Sequence, residues 1–118
     1  MNDNVDLSML SLPEIEAFGL AQAAVMLDQA RSARADKAAL CDALDQNLQL
    51  WVAIKTLVSM DNCLLPEEVK ENLCRLTQFV ADTTFRYGIE IPDDVVDALA
   101  TINLRISEGL LEAHVRKH

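Results

Sequence analysis

The stretch from Asn47-Leu48-Gln49-Leu50-Trp51 to Asn72-Leu73 decides the fold. Leading into it and through it, apolar residues fall at Leu40, Leu44, Leu48, Trp51, Ile54 and Val58. That i, i+3/i+4 spacing is one face of a helix. Ala43, Leu50 and Leu57 widen the face, so this helix is expected to touch two neighbours. Ser59-Met60-Asp61-Asn62-Cys63-Leu64-Leu65 then breaks the pattern. Asp61 and Asn62 can bond to nearby backbone, and Asn tolerates the left-handed conformation common just past a helix end. Pro66 is placed as the first residue of the next helix, where its missing N–H costs nothing. Glu67, Glu68 and Glu71 suit the positive end of that helix. Val69, Leu73, Leu76, Val80 and Thr84 give it an inward face. The product is an antiparallel helical hairpin.

Upstream, Asp36 is a suitable N-cap for the hairpin. The break before it, Ser32-Ala33-Arg34-Ala35, holds no Gly or Pro. A separate first helix and a nearly continuous one are both open. Ser11-Leu12-Pro13-Glu14 has the spacing of a capping box, and a helix runs from there to about Ser32. Its expected core face is Ile15, Phe18, Ala21, Val25 and Met26, with Gln22 in the same arc. Ala17, Ala23, Ala24 and Ala30 permit close approach but supply little apolar area. This helix is therefore expected to be the most loosely held. Residues 1–10 read as a loose polar lead.

Downstream, Gly88 follows Tyr87 as a natural helix stop. Pro92 opens a last helix, with Asp93 and Asp94 in its first turn. Its apolar stripe is Val96, Leu99, Ile102, Asn103, Ile106, Leu110 and Ala113. Gly109 interrupts it at about 1 kcal/mol relative to Ala, which suggests a close helix contact. The expected fold is all-α: a single-domain, mostly antiparallel four-helix bundle with short turns over residues 1–118.

Composition narrows the function. The 118 residues are 51% hydrophobic and carry a net charge of −9. Nucleic-acid binding needs Lys and Arg gathered on one face, and an anionic membrane surface is equally disfavoured. The odd cysteine set, Cys41, Cys63 and Cys74, has no CxxC pair and reads as reduced thiols. The acidic N-terminus has no apolar run for a signal peptide, and no stretch is long enough to span a bilayer. These features lead us to expect a cytoplasmic protein.

No catalytic constellation emerges. His114 and His118 share a helix face four residues apart, but no further ligand is tied to them by motif, so no metal or cofactor is expected. Glu-x-x-His pairs, which di-iron bundles require, are missing. Asn47 and Asn103 lie beside apolar stripes, where a buried amide needs a partner and can fix helix register. Direct partner contact is the other reading of both. Phe79, Phe85, Leu57, Leu64, Leu65, Leu104 and Leu111 lie off the main stripes or in the turn. Either the first helix covers such residues, or they form a groove for an amphipathic helix of a partner.

Several blocks together carry a resemblance. They are Asn47-x-x-Leu50-Trp51; Asn62 through Leu65-Pro66-Glu67-Glu68; Asn72-Leu73, Leu76 and Phe79-Val80; and Asn103-x-x-Ile106-x-x-Gly109-Leu110. In order and spacing they resemble the FlaF family of flagellar biosynthesis regulators, across about residues 40–112. Residues 1–35 carry no matching block, and Asn62 stands one residue further from Pro66 than in the family's Asn-x-Leu-Pro. The resemblance implies a non-enzymatic cytoplasmic protein of flagellated alphaproteobacteria, needed for flagellin synthesis and export. It implies flagellin binding before secretion, and action alongside a companion regulator, FlbT. A partner groove is expected around Trp51, Leu57, Leu64, Leu65 and Phe79, with Trp51 alternatively in the core. Asn47, Asn62 and Asn103 are expected as structural polar residues. The rival reading is a helical homo-oligomer that does not bind flagellin.

Overall fold

The computed structural model describes the backbone of residues 12–116 and the side chains of residues 17–112. Among the described residues there are four α-helices: α1 (Leu12–Ser32), α2 (Lys37–Val58), α3 (Glu67–Tyr87) and α4 (Asp93–Arg116). A single 3-10 turn, Gly88–Glu90, joins α3 to α4. The described residues contain no strand. The molecule is an all-α four-helix bundle, as the periodicity predicts. The Ser11 capping box and the polar lead lie outside the described residues.

Each helix boundary has a local cause. Asp36 caps α2, its carboxylate accepting the Ala39 N–H at 3.1 Å. The turn before it is closed by the Asp36 N–H donating to the Ala33 carbonyl at 2.8 Å. That turn separates α1 from α2 without any Gly or Pro. Pro66 sits one position earlier than predicted. Its ψ of 148° is extended, so it is the N-cap of α3 rather than its first helical residue. Its carbonyl still accepts the Val69 and Lys70 N–H groups. Gly88 ends α3 with φ 53° and ψ −137°, a conformation a Cβ would oppose.

Asn62 does not play the predicted left-handed role. No non-glycine residue in the described chain has a positive φ. Asn62 is exposed; the turn is closed by backbone, with the Cys63 N–H donating to the Met60 carbonyl at 3.1 Å. A short polar turn needs no side-chain bond when its own amides close it.

α1 packs most extensively on α4 and also lies against α2, while α2 pairs with α3. The expectation of a loosely held first helix is therefore corrected. Its core face also differs from the predicted one. Ala17, Leu20, Ala24 and Leu27 are buried, with Ala23 and Ala30 beside them, whereas Phe18 and Val25 point outward. Side-chain size misled the prediction. The alanines allow α1 to approach its neighbours closely, and Leu20 and Leu27 complete the stripe. A Cβ on Gly19 would lie 3.1 Å from a Leu50 methyl, which marks the α1–α2 contact as close. Gly109, expected at such a contact, has open space around it.

One core runs through the bundle. Trp51, Leu20, Leu27, Leu40, Ile54, Leu73, Val80, Val96 and Leu99 are its large members. Ile91, just after the 3-10 turn, is fully buried and anchors the α3–α4 link.

Candidate partner-binding surface

The site has a buried polar frame and an exposed apolar exterior. The frame centres on Asn103 of α4, which has no exposed surface. Its side-chain oxygen accepts the Trp51 indole N–H at 2.9 Å. Its amide donates to the Asn47 side-chain oxygen at 2.6 Å and, more weakly, to the Leu20 carbonyl at 3.4 Å. Asn47 and Trp51 are one turn apart on α2, so a single amide reads both. Ser107, one turn after Asn103, donates to the Ala17 carbonyl at 2.8 Å. Thr77 of α3 donates to the Leu73 carbonyl at 2.8 Å, with the Trp51 carbonyl also near at 3.3 Å. All four helices are thus tied through polar groups of fixed geometry. Asn47 and Asn103 take the helix–helix role rather than facing a partner. The Asn47 amide nitrogen is buried without a partner.

Two ion pairs join α4 to the end of α1 and to the turn that follows it. Arg34 pairs with Asp93 at 2.8 Å and also donates to the Ile91 carbonyl. Arg31 pairs with Asp97 at 2.8 Å. The Arg31 contact is ionic only, since its Nε makes no hydrogen bond.

The residues predicted as a groove do not converge. Trp51 has 0% exposure and belongs to the core. It cannot touch a partner while the helices stay packed, and its place on the surface is withdrawn. Leu57 and Leu65 are half-buried. Leu64, at the tip of the α2–α3 hairpin, is 88% exposed. Phe79 lies twelve residues beyond the first residue of α3, about 18 Å along the axis. It is 45% exposed and borders an open cleft of about 270 Å³ with Asp82, Thr83, Arg86, Tyr87 and Val95. A larger cleft of about 580 Å³ lies at the hairpin tip, with Asp61, Glu67, Lys70, Glu71 and Arg75 among its walls. Its charged lining makes it a poor seat for an apolar segment.

Exposed apolar residues are spread more widely than the predicted five. Phe85 is 78% exposed, and Phe18, Val25, Val52, Met60, Ile89, Leu104 and Leu111 also stand out from the surface. Phe18 and Val25 were missed because they were assigned to the core. Ser107 was missed because a serine in a helix usually reads as solvated. Its only signal was its spacing of one turn from Asn103.

Among the described residues, no group of three or more His, Cys, Asp or Glu is placed to hold a metal ion. The His114–His118 pair falls on side chains outside the described set. Cys41, Cys63 and Cys74 are free thiols. None of the described helices is long and apolar enough to cross a membrane.

The described residues thus form an all-α four-helix bundle with a buried polar frame and several exposed apolar side chains. The chain belongs to the FlaF family: the model of the flagellar protein FlaF matches residues 3–110. The match begins far upstream of the short blocks at 40–112, so it takes in α1 as well. No curated protein and no solved structure matches the chain.

Proposed function

We propose that this protein is a non-enzymatic flagellar adaptor that binds flagellin in the cytoplasm before export. Family membership supports the flagellar setting. The observation that carries the binding reading is the surface of the α2–α3 hairpin. It presents Leu64 at 88% exposure at its tip, near half-buried Leu57 and Leu65, and Phe79 at 45% further along α3. Large apolar side chains left in water favour a partner that covers them. A partner helix of about twelve residues or more would be long enough to reach from the tip to Phe79. The companion regulator FlbT is the second partner in this reading.

The test is capture of purified flagellin by the wild-type protein and by a Leu64→Asp, Phe79→Asp double variant. Both positions are solvent-facing, so the variant is expected to keep its helical circular dichroism. Capture by the wild type and loss in the folded variant supports the proposal. Equal capture by both moves the site elsewhere. No capture by either rejects flagellin as the client.

A further inference from the structure

In the residues that precede α1, Val5, Leu7 and Met9 alternate with Asp6 and Ser8, and Leu10 follows. An extended chain with that alternation carries one apolar edge. The family model begins at residue 3, so this segment lies within the length the family shares.

The register of the helices fixes where the segment joins the bundle. Residues 33–36 turn the chain from α1 into α2, and so short a turn makes the two helices antiparallel. The close approach of Gly19 to Leu50 aligns them. Seven residues further along each helix, about 10 Å, the start of α1 at Leu12 is level with Leu57 of α2. The hairpin tip follows directly. Leu57 and Leu65 are half-buried there, Met60 is 49% exposed and Leu64 is 88% exposed. The segment therefore joins α1 at the end of the bundle that holds the hairpin tip.

We propose that residues 5–10 fold back on the hairpin tip and cover Leu57, Leu64 and Leu65 until a client displaces them. The inference rests on the reading of this tip as a client surface. Reach, charge and tethering select the occupant. From Val5 to Leu12 an extended chain spans about 23 Å, enough to lie across the tip. A second copy would bring a further net charge of −9, and like-charged copies repel. Residues 5–10 bring a single carboxylate, Asp6. It meets charges of both signs, because the hairpin carries Lys55, Lys70 and Arg75 as well as Asp61, Glu67, Glu68 and Glu71. A tethered segment also acts at an effective concentration on the order of mM. Contacts too weak to hold a separate molecule are then sufficient. Phe79, about 18 Å further along α3, stays uncovered, so a client meets it first.

Methyl NMR of the full chain without flagellin tests the docking. It compares wild type with a Val5→Ser, Leu7→Ser double variant, which adds no charge. Wild type should show cross-relaxation between the Val5 or Leu7 methyls and those of Leu64 or Leu65. In the variant the Leu64 and Leu65 signals should shift, while the core methyls and the circular dichroism hold. In a flagellin titration the variant should bind about two- to tenfold more tightly than wild type. Missing cross-relaxation with unshifted Leu64 and Leu65 methyls overturns the proposal. So do Leu64 shifts that grow with protein concentration, which would assign the tip to a second copy. Equal flagellin affinity in wild type and variant overturns it as well. If neither protein binds flagellin while the cross-relaxation is present, the flagellin reading fails and the docked segment is still supported.

Discussion

Trp51 of α2 donates its indole N–H to the Asn103 side chain of α4 at 2.9 Å, and neither residue has any exposed surface. Both acquire partners only when the helices are docked in one register. A buried donor or acceptor left unpaired costs about 1–3 kcal/mol, so other registers are penalised. Hydrophobic burial pulls the helices together without choosing between registers. The polar frame makes the choice.

Asn103→Leu tests that role. It strands the Trp51 N–H and the Asn47 oxygen in the core, and it adds a branched side chain in their place. The expected loss is about 2–4 kcal/mol, read from the urea midpoint. A loss below about 0.5 kcal/mol, typical of a surface change, would show the frame to be dispensable.

The frame was partly legible in the sequence. Asn47 and Asn103 stand out because an amide beside a leucine stripe needs a reason. The partner of each was not legible, since pairing across fifty-two or fifty-six residues depends on how the helices dock. The α2 face could be read directly because Leu40, Leu44, Trp51 and Ile54 are large and regularly spaced. The α1 face could not. There, alanines form half of the buried stripe, and larger residues, Phe18 and Val25, lie outside it. Propensity and periodicity see size, whereas a close helix crossing selects for smallness. Trp51 drops out of the expected groove for a related reason. Trp51 is the largest apolar side chain available, and the bundle uses it inside.

The glycines separate three causes in one experiment. Gly109 has open space around it and lies within α4. Gly109→Ala should stabilise the protein by about 0.5–1 kcal/mol through helix propensity alone. Gly88→Ala should destabilise it by about 1–2 kcal/mol, because its φ of 53° opposes a Cβ. Gly19→Ala should fall near zero. Its propensity gain is offset by the contact at 3.1 Å with Leu50, a movable methyl. Thermal unfolding of the three variants gives the ranking.

The α1–α4 ion pairs should contribute little individually. The side chains of Arg31, Asp97, Arg34 and Asp93 are between 34% and 52% exposed. Exposed pairs contribute about 0–1 kcal/mol and weaken with salt. Arg34→Ala should cost more than Arg31→Ala, since only Arg34 also satisfies a backbone carbonyl. The difference should survive in high salt, and urea unfolding at two ionic strengths measures it.

Surface and core leucines should behave oppositely. Leu64→Ala removes a side chain that is 88% exposed and should change stability by less than about 0.5 kcal/mol. Leu27→Ala empties a site with 0% exposure and should cost about 2–5 kcal/mol. Chemical denaturation of the two variants compares them directly.

In the proposed function, exposed apolar residues on the α2–α3 hairpin bind flagellin. Isothermal titration of purified flagellin into wild type and into the folded Leu64→Asp, Phe79→Asp variant tests it most directly. The wild type should show saturable binding with a negative heat-capacity change, and the variant at least a tenfold weaker affinity (about 1.4 kcal/mol). Equal affinities for the two proteins would contradict it.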